Sequence, residues 1–366
     1  MKAAVFIAAN TPLEIRDYAV TPTMADHALV TLETSGVCGT DIHIWEGAIP
    51  LTGPVILGHE YIGRIAEFGA GARQDCLGAP LAIGDRVAVN VIEPCGQCLL
   101  CKTGGAASCL HLGESLTYTR SADEPPYFHG GFAEVNFSPT RYLHKIPSAI
   151  PAEIAAAFLC AGPTVIRGMA YAGGFVAGEH VIVQGAGPVG LFAVLYARHS
   201  GARSVTMIGS GTNPFRLELA RDLGATDVLD IHAISQEERF ARVREITGGV
   251  GADVIIEGTG NPQAVLEGLP LLRARGRYVW AGQYSDRGTI NIPTHLITTN
   301  ALQIFGSAQF TVEDRTAYFQ FLLQVQEQWA TIRRVITDRF TIDQANDAFA
   351  KAQCGQSVKT IFVGGE

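Results

Sequence analysis

Four closely spaced cysteines constrain the fold of this chain more than any other feature of its sequence. They lie within fifteen residues, with the spacing C-x2-C-x2-C-x7-C, and are Cys95, Cys98, Cys101 and Cys109. Four thiolates complete the tetrahedral shell of a zinc ion and leave no coordination position for a substrate. The run therefore predicts a structural zinc site that holds a loop together, and the chemistry of the protein is expected elsewhere in the chain.

Two other uses of such a run compete with zinc. Bacterial iron–sulfur proteins have the spacing C-x2-C-x2-C-x3-C-P, whereas here the last gap is seven residues and Leu110 follows Cys109. Disulfides are the second alternative. Residues 1–7 read as a short strand and not as a secretory signal, so we expect a cytoplasmic protein. In that compartment a cysteine cluster is more often a metal site than a disulfide framework.

The composition is that of a large globular protein. A length of 366 residues favours two or three domains, and 47% hydrophobic with 17% charged residues predicts a sizeable core. The net charge of -8 provides no basic surface for nucleic acid. No apolar stretch approaches the roughly 20 residues of a membrane span. Neither nucleic acid nor a membrane is therefore an expected partner.

The texture of the sequence changes near residue 151. Before it, short alternating apolar runs such as 28–33, 63–68 and 85–89 are separated by turn residues and predict an all-β unit. After it, short apolar strands alternate with helical stretches, which predicts a parallel sheet covered on both faces. The predicted strands are 180–184, 204–208, 252–256 and 277–281, and the predicted helices are roughly 188–200, 214–223, 235–247 and 263–274. Two amphipathic helices, roughly 312–329 and 343–353, precede a closing strand 360–363 that returns to the first unit.

A glycine-rich turn lies between the first of these strands and its helix. Its sequence is Gly185-Ala186-Gly187-Pro188-Val189-Gly190. In this context the pattern G-x-G-x-x-G is a dinucleotide fingerprint, although a plain turn is the alternative. The first glycine makes the turn, the second admits the pyrophosphate and the third packs helix on strand. The phosphates are then expected at the helix N-terminus.

The loop after the second strand bears on the choice between NAD and NADP. NAD sites usually place a carboxylate there to bind the ribose 2′-hydroxyl, but this chain has glycine in the sequence Gly209-Ser210-Gly211-Thr212-Asn213. A missing carboxylate removes repulsion against a 2′-phosphate, which Ser210, Thr212 and nearby Arg216 are able to bind. The loop therefore favours NADP(H), with an NAD site that lacks the acid as the alternative.

Three further residues have the chemistry of a second, reactive metal site. Cys38, His59 and Cys160 would supply three ligands and leave a fourth zinc position open, as a catalytic site requires. Nothing in the spacing joins Cys38 to Cys160, however. Taken alone, Cys160 reads as a buried core thiol, and the ligand set stays open at this level.

The motifs taken together resemble those of the zinc-containing medium-chain dehydrogenase/reductase superfamily, which includes zinc alcohol, polyol and threonine dehydrogenases. The resemblance covers essentially the whole chain. Besides the four-cysteine run and the glycine turn, it is carried by Gly36-Val-Cys38-Gly-Thr40-Asp41 and by Gly58-His59-Glu60. It implies a GroES-like β-rich catalytic domain over 1–157 and 304–366, and a Rossmann domain over 158–303. It also implies Cys38, His59 and Cys160 as ligands of a catalytic zinc.

The resemblance further implies an activity. A hydride would pass between an alcohol, polyol or sugar-like substrate and NAD(P), in a homodimer or homotetramer with two zinc ions per subunit. The implied roles are contact with the substrate oxygen for Thr40, proton relay for His43, orientation of the ligand histidine for Asp41, approach to the metal for Glu60, contact near the nicotinamide for Thr164, and contact near the cofactor phosphates for Lys359.

Two other functions remain as alternatives. A zinc-independent enone or quinone reductase of the same superfamily would have no use for the ligand set. A nucleotide-binding regulator that keeps only the structural zinc would have no use for Thr40 and His43. The segment 116–129 is longer and more polar than the fold needs and is expected to be a surface loop or a cap over the substrate entrance.

Overall fold

The structure is a computed structural model that describes residues 1–90, 94–111 and 117–365. The chain divides into two compact units. Unit 1 comprises Met1–Cys160, Thr311–Gln324 and Ile336–Glu366, and unit 2 comprises Ala161–Phe310 and Val325–Val335. The domain boundaries after residues 157 and 303 that the sequence suggests stay predictions.

The described residues form the following strands and helices, numbered in chain order. The described strands are β1 (Lys2–Phe6), β2 (Glu14–Asp17), β3 (His27–Gly36), β4 (Val55–Ile56), β5 (Tyr61–Phe68), β6 (Arg86–Val89), β7 (Val135–Pro139), β8 (Leu143–Lys145), β9 (His180–Gln184), β10 (Ser204–Gly209), β11 (Asp227–Asp230), β12 (Ala252–Glu257), β13 (Leu272–Trp280), β14 (Gln303–Gly306), β15 (Ile336–Phe340) and β16 (Lys359–Val363). The described helices are α1 (Gly39–Trp45), α2 (Leu99–Lys102), α3 (Ala152–Ala157), α4 (Ala161–Tyr171), α5 (Pro188–His199), α6 (Pro214–Asp222), α7 (Gln236–Ile246), α8 (Pro262–Gly268), α9 (Thr294–Thr299), α10 (Val312–Gln324), α11 (Trp329–Arg333) and α12 (Ala345–Gln353).

Unit 1 is built mainly on antiparallel strands, with β15 parallel to β16. A seven-stranded sheet has the order β15-β16-β3-β5-β6-β8, with β7 also paired to β3, and a smaller sheet has the order β2-β1-β4. The long strand β3 lies at the centre because its alternating apolar residues pack on the core while both of its edges are paired. The closing strand β16 returns to β3 in antiparallel register, with Ile361 opposite Gly36, which confirms that prediction.

Unit 2 is a doubly wound parallel sheet. Its strand order is β11-β10-β9-β12-β13-β14, and every pair in it is parallel. Ile182, Ile208 and Ile255, on three adjacent strands, belong to its buried core. Strand order reverses beside β9, and a ligand crevice forms outside the carboxyl ends of strands at such a point. In the described residues, none of the helices has the length and apolar character that crossing a membrane requires.

Several predicted elements are wrong in detail. The helix predicted over 263–274 ends at Gly268, and β13 begins at Leu272 after a single 3-10 turn. Pro270 lacks the N–H that would continue the helix, and the Tyr278 hydroxyl fills the space beside Gly268. Neither β11 nor β14 was predicted from the sequence.

Candidate active site

One cluster in unit 1 brings together residues that the sequence leaves far apart. Single ligand atoms of Cys38, His59, Glu60 and Cys160 all lie within 4.8 Å of one another. Cys38 is the N-cap of α1, His59 and Glu60 lie between β4 and β5, and Cys160 lies between α3 and α4. The fold therefore places Cys160 beside Cys38, a contact that the spacing of the sequence does not predict.

The two thiols of the cluster polarise each other. The hydrogen bond from Cys160 lowers the pKa of the Cys38 thiol well below its usual range, and burial opposes the shift. The same hydrogen bond, together with burial, raises the pKa of Cys160. The Cys38 backbone N–H also donates to Asp41 Oδ2 at 2.9 Å, which fixes the first turn of α1. The site thus favours a thiolate at Cys38, the form that binds metal.

Asp41 orients the imidazole of His59. The His59 ring is 7% exposed, and its Nδ1 lies 3.4 Å from Asp41 Oδ1. Burial lowers the pKa of His59, but the charges of Asp41 and Cys38 outweigh burial and raise the pKa well above its usual value. Because Nδ1 faces the carboxylate, Nε2 is the nitrogen left for a metal, as in carboxylate–histidine–metal arrangements.

Glu60 is held by a buried counter-ion. Lys359 Nζ donates to both Glu60 carboxylate oxygens, at 2.6 and 2.7 Å, and to the Val37 carbonyl at 3.1 Å. Both side chains are at most 3% exposed. Burial raises the pKa of Glu60, and the ammonium of Lys359 opposes that shift. The predicted contact of Lys359 with the cofactor phosphates stays a prediction. In the structure its ammonium donates to Glu60 and to the Val37 carbonyl.

The residues with predicted proton-transfer roles share the short helix α1. Thr40 Oγ1 lies 3.9 Å from Cys38 Sγ, at the edge of the cluster. His43 is half-buried, three residues further along the helix, so its side chain follows Thr40 on the same face. Asp41, by contrast, is buried toward His59. The helix α1 therefore has a candidate metal-ligating cysteine as its N-cap and carries the hydroxyl of Thr40, the carboxylate of Asp41 and the imidazole of His43.

The segment after the cysteine run packs on this site. Residue 116 lies outside the described residues. Phe128 is fully buried in the unit 1 core, whereas Arg120 and residues 123–125 are exposed. Tyr118 is 6% exposed, and its ring centroid lies 6.2 Å from that of His59. Part of the segment is therefore at the surface and Tyr118 lies beside the ligand histidine, while the surface loop and the cap over the substrate entrance stay predictions.

The cluster has the donor set of a zinc site. Two sulfurs and one imidazole are the ligands of a catalytic Cys2His centre, and a carboxylate oxygen of Glu60 lies within 4.8 Å of the same ligand atoms. The buried charge of Asp41 faces His59 and that of Lys359 faces Glu60, so neither charge lies among the ligand atoms. The residues present therefore fit a zinc ion.

The four cysteines of the opening run form a separate cluster. Their sulfurs lie within 4.8 Å of one another, and the measured pairs are 3.4–3.9 Å apart, far longer than the roughly 2.05 Å of a disulfide. Backbone N–H groups of Cys95, Cys98 and His111 point at sulfurs of the cluster. Backbone N–H groups of Cys101 and Leu110 lower the pKa of Cys98 to about 6. This geometry fits a closed four-thiolate zinc site.

In unit 2 each glycine of the turn has the conformation, the open space or the close packing that the dinucleotide fingerprint requires at its position. Gly185 has a φ of +96° and abuts Thr259, and a Cβ on Gly190 would lie 1.7 Å from the Gly185 carbonyl oxygen. Gly187 caps α5, with nothing within 4 Å of its missing Cβ. The open space lies where a pyrophosphate would approach the helix N-terminus. Pro188 begins the helix, and Val189 packs against Gly258. The turn fits a dinucleotide.

The loop after β10 contacts the loop after β11. Ser210 Oγ lies 2.8 Å from Thr212 Oγ1, and His232 Nε2 lies 3.0 Å from Ser210 Oγ. Asp230, the last residue of β11, accepts from the Gly211 N–H at 2.8 Å. Arg216 is half-buried on α6, where burial lowers its pKa. Sequence reasoning missed Asp230 and His232 because it did not predict β11.

Glu257 is a third residue that sequence reasoning missed. It ends β12, is fully buried, and accepts from the Thr259 N–H and hydroxyl at 2.5 Å and from the Gly260 N–H at 3.0 Å. Gln283 Nε2 donates to its other oxygen at 3.0 Å. A carboxylate at the end of an apolar strand was the available signal. Thr164, predicted near the nicotinamide, is buried in the first turn of α4 in unit 2, and its role stays a prediction.

Two family descriptions match the chain. The alcohol dehydrogenase GroES-like domain matches residues 24–148, and the zinc-binding dehydrogenase family matches residues 188–324. The chain is 35% identical to the 5-exo-hydroxycamphor dehydrogenase of Pseudomonas putida over 343 residues, which cover 92% of this chain and 91% of that protein. It is 30% identical to the D-xylulose reductase A of Aspergillus oryzae over 347 residues, which cover 93% and 90% of the two chains.

Solved structures give the same similarity in three dimensions. An alcohol dehydrogenase from Thermotoga maritima superposes with a TM-score of 0.92 at 29% identity, covering 100% of this chain and 99% of its own. A chain from Sinorhizobium meliloti that was solved bound to NADP superposes with a TM-score of 0.82 at 27% identity, covering 99% and 98%. The similarity therefore extends over both units.

Proposed function

The chain belongs to the zinc-containing medium-chain dehydrogenase/reductase superfamily, and from this membership together with the cluster geometry we propose how its residues work. It is an oxidoreductase that transfers a hydride between an alcohol and NAD(P), giving an aldehyde or ketone. The single observation that carries the residue assignment is the convergence of Cys38, His59 and Cys160 on one point, with Glu60 beside them. The named relatives act on hydroxycamphor and xylulose, and we propose a secondary alcohol or polyol as the substrate class here.

The metal and the nicotinamide supply the two reactive functions: bound zinc is a Lewis acid for the substrate oxygen, and bound nicotinamide exchanges the hydride. We assign Cys38, His59 and Cys160 to holding a catalytic zinc. Asp41 fixes the ring of His59 through Nδ1. The carboxylate of Glu60, restrained by Lys359, remains beside the ligands. Cys95, Cys98, Cys101 and Cys109 would hold a second, structural zinc, so that each chain binds two ions.

Proton movement falls to the helix α1. The hydroxyl of Thr40 lies beside the cluster and is able to take a proton from the substrate hydroxyl while its own proton leaves toward His43. His43 follows one helical turn later, is half-buried, and has an imidazole that exchanges protons near neutral pH. We propose that Thr40 and His43 relay the proton in that order between the substrate and solvent.

The cofactor preference proposed is NADP(H) over NAD(H). Support comes from the absence of a carboxylate among residues 209–213, from the hydroxyls of Ser210 and Thr212, and from the neighbouring Arg216. The NADP-bound Sinorhizobium meliloti chain is a relative of similar architecture. Assembly as a homodimer or homotetramer and a cytoplasmic location stay predictions.

A substrate panel tests this function. Purified protein is mixed with primary alcohols, secondary alcohols, polyols and the matching carbonyl compounds, each with NAD(H) and NADP(H), and the nicotinamide absorbance is followed. Metal analysis of the same sample is expected to give two zinc ions per chain. Reduction of enones without any alcohol oxidation would contradict the proposal and favour the zinc-independent reductase. One zinc per chain and no turnover with any pair would favour a regulator.

A further inference from the structure

Near the carboxyl ends of β10 and β11, His232 lies beside the loop after β10, which is the loop proposed to bind the 2′ position of the ribose. The two strands are parallel neighbours with Gly209 opposite Asp230, so the loops that follow them leave the sheet at the same edge. His232 Nε2 lies 3.0 Å from Ser210 Oγ and 3.3 Å from Thr212 Oγ1. The two hydroxyls lie 2.8 Å apart. Three side chains from two loops thus place polar atoms at the corners of a small triangle.

The chemistry of this triangle suits a phosphate. Two hydroxyls and an imidazole N–H are hydrogen-bond donors that here bond to one another, and the three free oxygens of a phosphate can accept from all of them. His232 and Thr212 are exposed and Ser210 is half-buried, so an anion from solvent has access to the donors. A hydrogen bond between a charged acceptor and such donors is about twice as strong as a neutral one. A single ribose hydroxyl would engage only part of this set.

The loop after β10 has no carboxylate of its own, and the carboxylate of Asp230 lies against it. A Cβ on Gly211 would lie 1.9 Å from Asp230 Oδ2, so a larger residue at position 211 would displace that carboxylate. Asp230 accepts from the N–H groups of Gly211 at 2.8 Å and His232 at 3.0 Å. Its carboxylate therefore ties the two loops together and sets the position of the His232 backbone.

We propose that His232 is a further specificity-determining residue, which completes with Ser210 and Thr212 a cradle for the 2′-phosphate of NADP(H). Asp230 is a positioning residue for the cradle, because it binds both loops through their backbones. The inference rests on the proposed preference for NADP(H) and assigns that preference to a residue outside the loop after β10.

Binding of two nicotinamide-free probes tests the cradle. The nucleotides 2′,5′-ADP and 5′-AMP share the adenosine half and differ at the 2′ position, so their dissociation constants, measured by calorimetry on the zinc-loaded protein, isolate the 2′-phosphate. His232→Ala is expected to weaken 2′,5′-ADP binding about tenfold, since one charge-assisted hydrogen bond is lost, and to leave 5′-AMP binding unchanged. His295→Ala, at an exposed histidine on α9, is the matched control and should change neither constant.

The outcomes separate this inference from the proposed function. If the unmodified protein prefers 2′,5′-ADP and His232→Ala keeps that preference, the cradle is wrong while the NADP(H) preference stands. If the unmodified protein binds 5′-AMP as tightly as 2′,5′-ADP, both are wrong, and the alcohol panel still tests the dehydrogenase itself. Asp230→Asn keeps an acceptor oxygen for the two N–H groups and should bind 2′,5′-ADP at least as tightly. Weaker 5′-AMP binding by this variant would mean that Asp230 reads the ribose hydroxyl, which also overturns the cradle.

Discussion

Two sulfur-rich clusters in unit 1 use the same kind of ligand in opposite ways. The four-cysteine cluster draws all of its ligands from residues 95–109, and its sulfurs receive N–H groups from the same short segment. The cluster of Cys38, His59 and Cys160 draws its ligands from three separate places in the chain, and its neighbours Asp41 and Lys359 are buried charges. A local cluster can close around an ion by itself, whereas a dispersed one depends on the whole unit being folded. This difference agrees with the proposed roles, a structural site in the local cluster and a catalytic site in the dispersed one.

The largest expected effect is on turnover. Cys38→Ser removes a ligand of the dispersed cluster, and activity should fall more than about a thousandfold because the Lewis acid contributes several kcal/mol to the barrier. One zinc per chain should remain, bound by the four cysteines. Cys354→Ser, at an exposed thiol, is the control and should behave as the unmodified protein. Full activity in Cys38→Ser would refute the metal-based mechanism.

A stability effect of similar rank is expected at the buried counter-ion. Lys359→Met leaves the Glu60 carboxylate buried without its cation, which should lower the free energy of unfolding by about 3–5 kcal/mol. Urea unfolding followed by circular dichroism measures the change. The double variant Glu60→Gln with Lys359→Met should recover a large part of the loss.

An exposed ion pair provides the matched control for that variant. Lys351 lies 3.8 Å from Asp338 and both are partly exposed, so Lys351→Met should cost less than about 1 kcal/mol. Equal losses from Lys359→Met and Lys351→Met would show that the dispersed cluster does not depend on its buried charges, and the contrast between the two clusters would weaken.

The local cluster should govern stability rather than chemistry. Cys98→Ala is expected to release one zinc and to lower the melting temperature on the order of 10 °C, equivalent to about 3 kcal/mol in a unit of this size. Well below that temperature, turnover per folded molecule should be close to that of the unmodified protein. A fully stable Cys98→Ala protein without turnover would break the division of labour.

The smallest effect is expected at the residue that orients a ligand. Asp41→Asn keeps an oxygen for the Cys38 N–H but removes the charge that faces His59 Nδ1. Residues in this position typically affect metal affinity or activity by about 10–100-fold. Competition with a zinc chelator should show weaker binding at one of two sites only. Unchanged affinity at both sites would assign Asp41 to the helix cap alone.

Much of unit 2 was predictable because its signals are local. The strand 180–184, the glycine turn and the helix that follows occupy consecutive residues, and β9 and α5 have nearly the predicted bounds. The failures were local as well. Pro270 ends the helical pattern that suggested a longer helix, and β11 was missed because its four residues begin and end with aspartate. That omission concealed Asp230 and His232, since their place beside Ser210 follows from strand order.

The sequence by itself determined the four-cysteine cluster and the dinucleotide turn. In both, the atoms that bind the ligand come from one short stretch of chain, and the residue spacing fixes their geometry. Spacing left open that Cys160 lies beside Cys38, which the family resemblance implied, and only the tertiary structure decided that Lys359 neutralises Glu60 and that His232 meets Ser210. These contacts join distant segments, and packing of the surrounding core, rather than spacing, brings them together. Closing such loops costs chain entropy that no local pattern reveals, and the buried β-sheet of unit 1 and the parallel sheet of unit 2 supply the free energy that offsets it.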